Sequence, residues 1–483
     1  MSVHEWDLAN RYRGWVAQDI GFSIQWVTGN YSDAEESFLR INTSGTNLSE
    51  WEIKLVRYRQ SSFARLATSI AHPEFAQRCW PHKNERGEVL SLEEQEQAQA
   101  ILTQTTQISQ LLWEPRNSQS GQRLRPFLMA SSSEPESLPF YTGEFLTIVR
   151  GQQGQPTQTE EMMRQDRSGS SITILNNGKS LAQDAVDALN HLRGKTVHSM
   201  GVVSAAYFYN PEGVSVRSLF YGFLYWISYG TKDEVRTRKQ IFCAFRRSFE
   251  AALQQRKKDT VTRISRRIGS GGEVTLPTAR YFNGLLELVV EHQGVVNTPF
   301  FEEAHAQFIE KLRRGDNKSI SSTEDGNDGS AAASTTGRNV IVARVASKSQ
   351  RSRLQLESEL KTMSRCEICG GLLLLDDPHS QVQFDHEKQH SEGGKTSDDN
   401  LRPTHPFCNH RRQWIEQLKG TTPQLPPFVD SHGQSQANQL TFLTLWKNSE
   451  EGVDEDDTPD SAEGDESGLS AQDDAESADE DSK

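Results

Sequence analysis

The sequence predicts an α+β protein with a mainly helical body, a flexible linker, a small domain containing paired Cys and His residues, and a disordered acidic tail. Three observations carry this prediction. Ser-x-x-Glu sequences of the capping-box type precede several helical stretches in the first part of the chain. Residues 315–340 are dominated by Gly, Ser, Ala and charged side chains, a composition typical of flexible linkers. The Cys and His pairs follow that linker.

The charge distribution separates the tail from the rest of the chain. The 483 residues carry a formal net charge of −14, but residues 450–483 hold 16 acidic groups and a single Lys. The rest of the chain is therefore close to neutral. The segment 449–483 is expected to be disordered because it cannot bury an apolar core.

No membrane partner is expected. The most apolar run, Leu219 to Tyr229, is shorter than the ~20 residues that span a bilayer. The first residues are polar and charged and do not have the pattern of a signal peptide. The aromatic residues of the apolar run are interpreted as core packing.

The body is interpreted as helices with one strand. Capping boxes that begin at Ser32, Ser49 and Ser91 each predict a helix. Residues 172–175, which precede an Asn-Asn-Gly sequence, predict a strand that enters a turn. Residues 181–193 predict the next helix. Residues 131–314 are therefore expected to form a mixed α/β body.

The segment from Arg246 to Arg267 is basic and helix-like. Its cationic side chains have two interpretations: a solvated helix face, or a face that follows a DNA backbone. A phosphate-binding loop is not favoured, since the glycines at 269–272 are not followed by a Gly-Lys-Ser/Thr sequence.

Two pairs of residues give the strongest chemical signal. Cys366 and Cys369 form the first pair, and His405 and Cys408 form the second, each with a two-residue gap. This spacing directs two side chains at one tetrahedral Zn²⁺, for which thiolate and imidazole are ordinary ligands. The five cysteines of the chain therefore indicate metal binding in a reducing compartment, so a cytoplasmic location is expected.

The residues between and after these pairs suit a metal-assisted attack on phosphate. Asp385 and Asn409 carry the hard oxygen donors that Mg²⁺ or Mn²⁺ prefers. His386 is the candidate general base, because an imidazole titrates near neutral pH. Asn400 is expected to brace the intervening loop and to orient His386.

The order of these residues resembles the HNH endonucleases. The matching elements are Cys366-x-x-Cys369-Gly, Asp385-His386, Gly393-Gly394, Asn400-Leu401 and His405-x-x-Cys408-Asn409. The resemblance implies that residues 341–430 form a ββα-metal nuclease domain that hydrolyses DNA phosphodiester bonds. One departure is His405, where Cys is usual, which gives a Cys₃His zinc site.

Double-stranded DNA is the partner that this resemblance implies. The residues expected to contact its phosphates are Lys395, Arg402, Arg411 and Arg412. Two alternatives stay open. His410 competes with Asn409 for the last role in the motif, and the domain as a whole could be a zinc-ribbon-like DNA-binding knuckle without catalysis.

Residues 36–53 resemble a second family. They follow the "F-x-R-[IL]-N-x-x-G-x-x-L-S-x-x-E-[IL]" segment of the ParB-like domain in GmrSD-class restriction enzymes. The matching residues are Glu36, Phe38, Arg40, Ile41, Asn42, Gly45, Leu48, Ser49, Glu52 and Ile53. The DGQQR motif of that domain does not occur in the sequence. Residues 1–130 are therefore expected to be a partial ParB-like, GmrSD-like helical region.

This second resemblance implies a role in restriction and antiviral defence. The alternative is a DNA-binding or regulatory subunit of a defence complex. Such a subunit would be active only with a partner protein that carries the missing ParB-like half. A partner protein or a homo-oligomer is accordingly expected.

Overall fold

The computed structural model describes residues 50–81, 83, 87–114, 125–128, 138–150, 156–165, 170–256, 275–315, 347–375, 382–426 and 428. Within these ranges most residues are helical, and the named strands form a two-stranded sheet in the C-terminal domain. Several predicted features lie outside the described residues: the helix after Ser32, most of the ParB-like segment, the linker beyond residue 315, and the acidic tail.

The helices of the body fall into two groups along the chain. The first group is α1 (Glu50–Arg57), α2 (Ser62–Ala71), α3 (Ala76–Cys79), α4 (Leu92–Trp113), α5 (Leu138–Val149), α6 (Pro156–Gln165) and α7 (Ser171–Leu192). The second group is α8 (Ser204–Phe208), α9 (Arg217–Ser228), α10 (Lys232–Ala244), α11 (residues 246–256), α12 (Thr275–Glu291) and α13 (Pro299–Gly315).

The C-terminal domain contains a hairpin of two short strands and three helices. These elements are α14 (Lys348–Thr362), β1 (Gln383–His386), β2 (Leu401–Thr404), α15 (Pro406–His410) and α16 (Arg412–Leu418). The strands are antiparallel and pair Asp385 with Arg402.

Capping sequences begin helices as predicted. The Ser91 hydroxyl accepts a bond from the Glu94 N–H, and the Glu94 carboxylate accepts one from the Ser91 N–H at 2.8 Å. This reciprocal pair satisfies backbone donors that the first helical turn leaves free. The helix predicted after Ser49 is present as α1.

The strand predicted at residues 172–175 is wrong. These residues are the first turn of α7, which runs unbroken from Ser171 to Leu192. The glycine that suggested a turn, Gly178, lies under Trp80: an added Cβ would come within 2.4 Å of the indole ring. This glycine therefore allows a helix to pack closely, and tertiary contact overrides its local turn preference.

An aromatic cluster forms the centre of the body. Trp226 of α9 stacks on Phe249 and on Phe282, with centroid distances of 5.9 Å in both cases. Phe223 meets the Phe282 ring edge-on at 5.2 Å. The apolar run that became α9 is buried from Leu219 onwards, so its aromatic residues pack the core as predicted. No helix in the described ranges combines the length and apolar character needed to cross a bilayer.

The C-terminal domain contacts the body directly. Helix α10 packs against α16. The Phe407 N–H donates to the Ser199 carbonyl at 3.1 Å, and Arg125 forms an ion pair with Glu359 of α14 at 3.2 Å. The C-terminal domain, which contains the two Cys and His pairs, therefore packs against helices of the body. The domain boundaries proposed from the sequence remain a prediction.

Candidate active site and metal centre

The two Cys and His pairs converge on one point. The ligand atoms of Cys366, Cys369, His405 and Cys408 all lie within 4.8 Å of one another, and all four residues are buried. The Cys369 Sγ lies 3.3 Å from the His405 Nδ1. Three thiols and one imidazole at such distances are compatible with a tetrahedral zinc site.

The orientation of the His405 ring also suits a metal ligand. Its Nε2 lies 3.0 Å from the Leu372 carbonyl oxygen. The proton therefore belongs on Nε2, which donates to the carbonyl, and the lone pair of Nδ1 faces the three thiols. Metal-binding histidines are commonly held in this way by a bond from the second ring nitrogen.

The turn that carries the first pair depends on a glycine. Gly370 has a φ of +68°, a backbone conformation that glycine adopts without strain. Its N–H donates to the Cys366 carbonyl at 2.7 Å, and the Cys366 N–H donates to the Gly371 carbonyl at 2.8 Å. These bonds close the loop so that both thiols face the same side.

Burial makes the thiols depend on a cation. Burial raises the pKa of the Cys369 thiol and of the Cys408 thiol well above the ordinary value, because a thiolate loses its hydration. Several buried thiolates side by side also repel one another. A bound divalent cation removes both penalties, so the chemistry of this donor set fits zinc.

Two of the candidate catalytic residues, Asp385 and His386, lie at the end of β1, and neighbouring side chains of a strand point to opposite faces. The His386 Nε2 lies 2.9 Å from the Thr396 hydroxyl. The Asp385 carboxylate lies against Arg402 and Arg412 instead. The structure thus places both residues at the end of β1 but gives them different partners.

Asp385 belongs to a cluster of charged side chains. Its Oδ2 accepts bonds from Arg402 Nη2 at 2.9 Å and from Arg412 Nη1 at 3.1 Å. Glu416 accepts a bond from Arg412 Nε at 3.1 Å. Arg402 and Arg412, two of the three arginines predicted to contact DNA, are therefore engaged within the domain, in charge-assisted bonds stronger than neutral ones.

Asn409 connects α15 to β1. Its Nδ2 donates to the Gln383 side-chain oxygen at 2.8 Å. Gln383 and Asp385 are two residues apart on β1, so their side chains lie on the same face of the strand. This arrangement brings Asn409 to the face that carries the Asp385 carboxylate.

Asn400 closes the loop between the strands. Its Nδ2 donates to the Lys395 carbonyl at 2.8 Å and to the Lys388 carbonyl at 3.1 Å. Its Oδ1 accepts the Lys388 N–H at 2.8 Å. These three bonds hold the loop that carries Thr396, the partner of His386. An effect of Asn400 on the orientation of His386 remains a prediction.

The other candidate residues have separate surroundings. Lys395 is exposed and Arg411 is half-buried. The ring of His410 meets the ring of His198 in the body at a centroid distance of 6.2 Å. That contact favours Asn409 over His410 for the role next to Asp385.

The sequence reasoning missed a buried ionic pair beside the metal centre. Arg246 and Glu250 of α11 are 0% and 1% exposed and are joined at 2.9 Å. Arg256 is also buried, and it donates to the Val296 carbonyl at 3.0 Å. Both interpretations of this basic segment, a solvated face and a DNA-facing one, are therefore wrong for Arg246 and Arg256, and residues 257–267 lie outside the described residues. The i,i+4 spacing of Arg246 and Glu250 was the available signal.

Comparison with protein-family models identifies part of the chain. The family model described as HNH endonuclease matches residues 366–413, from the first zinc-pair cysteine to the start of α16. No curated protein and no solved structure matched the chain. The ParB-like resemblance of residues 36–53 gains no support and remains a prediction. Residues 366–413 of the chain are an HNH endonuclease domain.

Proposed function

We propose that the chain is an endonuclease that hydrolyses DNA phosphodiester bonds with Mg²⁺ or Mn²⁺ as a catalytic cation. The match of residues 366–413 to the HNH endonucleases carries the proposal. The buried Cys₃His cluster supports it, because the cluster joins residues 366–369 to residues 405–408. These two segments flank Asp385, His386 and Asn400 in the sequence.

Zinc is proposed to have a structural role. Four protein ligands complete a tetrahedral site, whereas catalytic zinc sites keep one position open for water or substrate. Structural zinc supplies ~10–16 kcal/mol of folding free energy in small zinc-binding peptides. A domain with a sheet of two four-residue strands has a small core of its own, so this contribution matters.

His386 is the proposed general base. It accepts the proton of the attacking water, and the bond between its Nε2 and Thr396 orients the ring. General bases of this kind contribute about 10²- to 10⁴-fold to the rate. Asn400 holds the loop that carries Thr396.

Asp385 and Asn409 are the proposed residues for the catalytic cation. Their oxygen atoms would hold Mg²⁺, which would supply electrostatic stabilisation to the scissile phosphate and to the leaving 3′ oxygen. The oxygen donors fit such an ion, and Asn409 reaches the Asp385 face of β1 through Gln383. At Asp385 the ion has to compete with the bonds from Arg402 and Arg412 to Oδ2.

The alternative function is a DNA-binding or regulatory subunit that is active only with a partner. The ion pairs of Asp385 favour it, since they neutralise the carboxylate proposed to hold the cation. Roles in restriction and antiviral defence rest on the ParB-like resemblance alone. A cytoplasmic location is proposed because thiols that bind zinc need a reducing compartment.

A plasmid cleavage assay tests the proposed function. Zinc-containing protein is incubated with supercoiled DNA, modified and unmodified, in Mg²⁺, in Mn²⁺ or in EDTA. We expect nicked or linear product only with a divalent cation, and a loss of at least about 100-fold in His386→Ala. His72→Ala is the matched control, because this partly exposed imidazole pairs with Glu74 in the body.

Two outcomes would count against the proposal. Full activity in His386→Ala would remove the proposed base. If folded wild-type protein bound DNA but failed to cut it with either cation, the regulatory alternative would be favoured.

A further inference from the structure

A buried polar cluster of the body extends to the metal centre. It consists of Arg246, Glu250 and Tyr207, called the Arg246 cluster below. The Arg246 Nε donates to Glu250 Oε1 at 2.9 Å, and the Tyr207 hydroxyl donates to the same oxygen at 2.8 Å. Arg246 Nη2 donates to the Gly201 carbonyl at 3.0 Å. All three residues belong to the helical body, outside the matched HNH segment.

A chain of hydrogen bonds joins this cluster to a metal ligand. Glu250 Oε2 accepts the Leu372 N–H at 3.1 Å. The carbonyl of the same Leu372 accepts from His405 Nε2 at 3.0 Å. The Arg246 Nη1 lies 3.5 Å from His405 Nδ1, the nitrogen that faces the thiols. Glu250 therefore anchors the backbone N–H of the residue whose carbonyl orients the imidazole, and Arg246 lies next to the ligand atom.

Glycines on both sides allow this close approach. A Cβ added at Gly371 would lie 2.5 Å from the Arg246 Cδ. A Cβ added at Gly201 would lie 2.4 Å from the His405 Cδ2. The metal-site turn and the body loop thus pack at distances that only glycine permits, and the contact between them is tight.

The charges of this region balance when zinc is bound. Three thiolates and a neutral imidazole around Zn²⁺ carry a net charge of about −1, which is costly to bury without a cation. The guanidinium of Arg246 is fully buried and stays protonated. Arg365 lies 3.7 Å from Glu250 Oε2. Arg246 thus lies beside the thiolate–zinc group and Arg365 lies beside Glu250, so each of these two negative charges has a neighbouring cation.

We propose that Arg246 and Glu250 are positioning residues of the zinc centre, supplied by the body. Arg246 offsets the negative charge of the thiolate–zinc group, and Glu250 anchors the backbone N–H of Leu372, the residue whose carbonyl orients His405. The HNH domain and the body therefore share one buried polar centre, and zinc is retained fully only when both are intact. This inference rests on the proposed occupancy of the cluster by zinc.

Zinc release from the full-length protein tests the inference. The release rate to a chromogenic chelator is measured for the wild type, Arg246→Met, Glu250→Gln and the double variant, and circular dichroism checks the fold. We expect release about tenfold faster in Arg246→Met, in the range found for residues that support metal ligands. A smaller increase is expected in Glu250→Gln. Arg236→Met is the control, since Arg236 is exposed and pairs with Asp233.

The double variant separates this role from that of an ordinary buried ion pair. If the pair serves folding alone, removing both charges relieves the penalty of an unpaired buried ion, and release returns to the wild-type rate. That result would overturn the inference, as would wild-type release from Arg246→Met. Fast release from the double variant supports it.

Arg246→Lys and Arg246→Gln serve if Arg246→Met does not fold. The lysine keeps the positive charge and the glutamine does not, so faster release from Arg246→Gln than from Arg246→Lys supports the inference, and equal release from the two variants overturns it. The zinc content of the wild type is measured first. Absence of zinc there would refute the zinc proposal itself, whereas bound zinc with identical release in every variant would refute the role of Arg246 and Glu250 alone.

Discussion

The proposed zinc centre of the HNH domain and its proposed catalytic face, which carries Asp385 and His386, are built in different ways. At the proposed zinc centre, the ligand atoms of four buried residues lie within 4.8 Å of one another, and the Leu372 carbonyl holds the one imidazole in place. On the catalytic face, the Asp385 carboxylate is paired with arginines, and His386 is bonded to Thr396.

This difference shows what each region requires from its metal. The four ligand residues of the proposed zinc centre are buried, so the negative charge of their thiolates has to be balanced by a bound cation. The Asp385 carboxylate is paired with two guanidinium groups, in charge-assisted bonds that do not need a metal ion. We therefore expect zinc to control whether the domain folds, and the second cation to control only whether it cuts.

The largest effect is expected from loss of a zinc ligand. Cys408→Ser should abolish zinc retention and lower the free energy of unfolding of the HNH domain by several kcal/mol, about the scale of structural zinc sites. Zinc analysis and thermal unfolding by circular dichroism measure both quantities. Cys79→Ser is the control, because this partly exposed cysteine lies outside the cluster. A Cys408→Ser protein with full zinc content and unchanged unfolding would remove the contrast between the two regions.

A smaller effect is expected from the arginines that pair with Asp385. Arg402→Gln removes one competitor for Oδ2 and one positive charge beside the proposed cation site. The Mg²⁺ concentration for half-maximal cleavage should therefore fall a few-fold, while zinc content stays constant, and DNA binding should weaken through loss of a predicted phosphate contact. A magnesium titration and a filter-binding assay measure these changes, with Arg353→Gln on the exposed face of α14 as control. An unchanged or higher Mg²⁺ requirement would contradict competition at Asp385.

The smallest effect is expected at the junction between the body and the HNH domain. Burial, together with the charges of Lys239, His410 and Arg411, lowers the pKa of His198 to about 4. The unfolded chain therefore binds a proton at this histidine between pH 6.5 and pH 4, whereas the folded chain does not. The stability that neutral His198 contributes to the folded state is therefore fully present above pH 6.5, and it is lost as the pH falls through this window.

The His198→Asn variant should therefore show a shallower fall in melting temperature between pH 6.5 and pH 5 than the wild type. Because His198 is half-buried, solvent screening keeps the difference small. Parallel melts of the two proteins across this range measure it. Identical pH dependence would show that His198 does not contribute.

The zinc centre was predictable because its signal is local. A two-residue gap between ligands constrains the backbone to a tight turn, and the structure brings all four predicted residues together. The same holds for the capping box at Ser91, whose partner is three residues away. Chemistry within a few residues of chain can be read directly from the sequence.

Long-range contacts were not predictable from local pattern. The glycine of α7 suggested a turn, and only its contact with Trp80, about a hundred residues away in the chain, makes it part of a helix. Arg246 looked solvent-exposed in a basic segment, although it packs beside Gly371 of the metal-site turn. The pairing of Arg402 with Asp385 likewise follows from the strand register, which the sequence leaves open.

The division of roles between two metals is tested most directly by titrating Mg²⁺ into zinc-loaded protein while cleavage and bound zinc are measured together. The wild type should cut only as Mg²⁺ is added, with its zinc content constant throughout. Asp385→Asn should keep its zinc and lose cleavage by about 100-fold or more. Full cleavage by the zinc-loaded wild type without any added cation, or unimpaired cleavage by Asp385→Asn, would contradict the account.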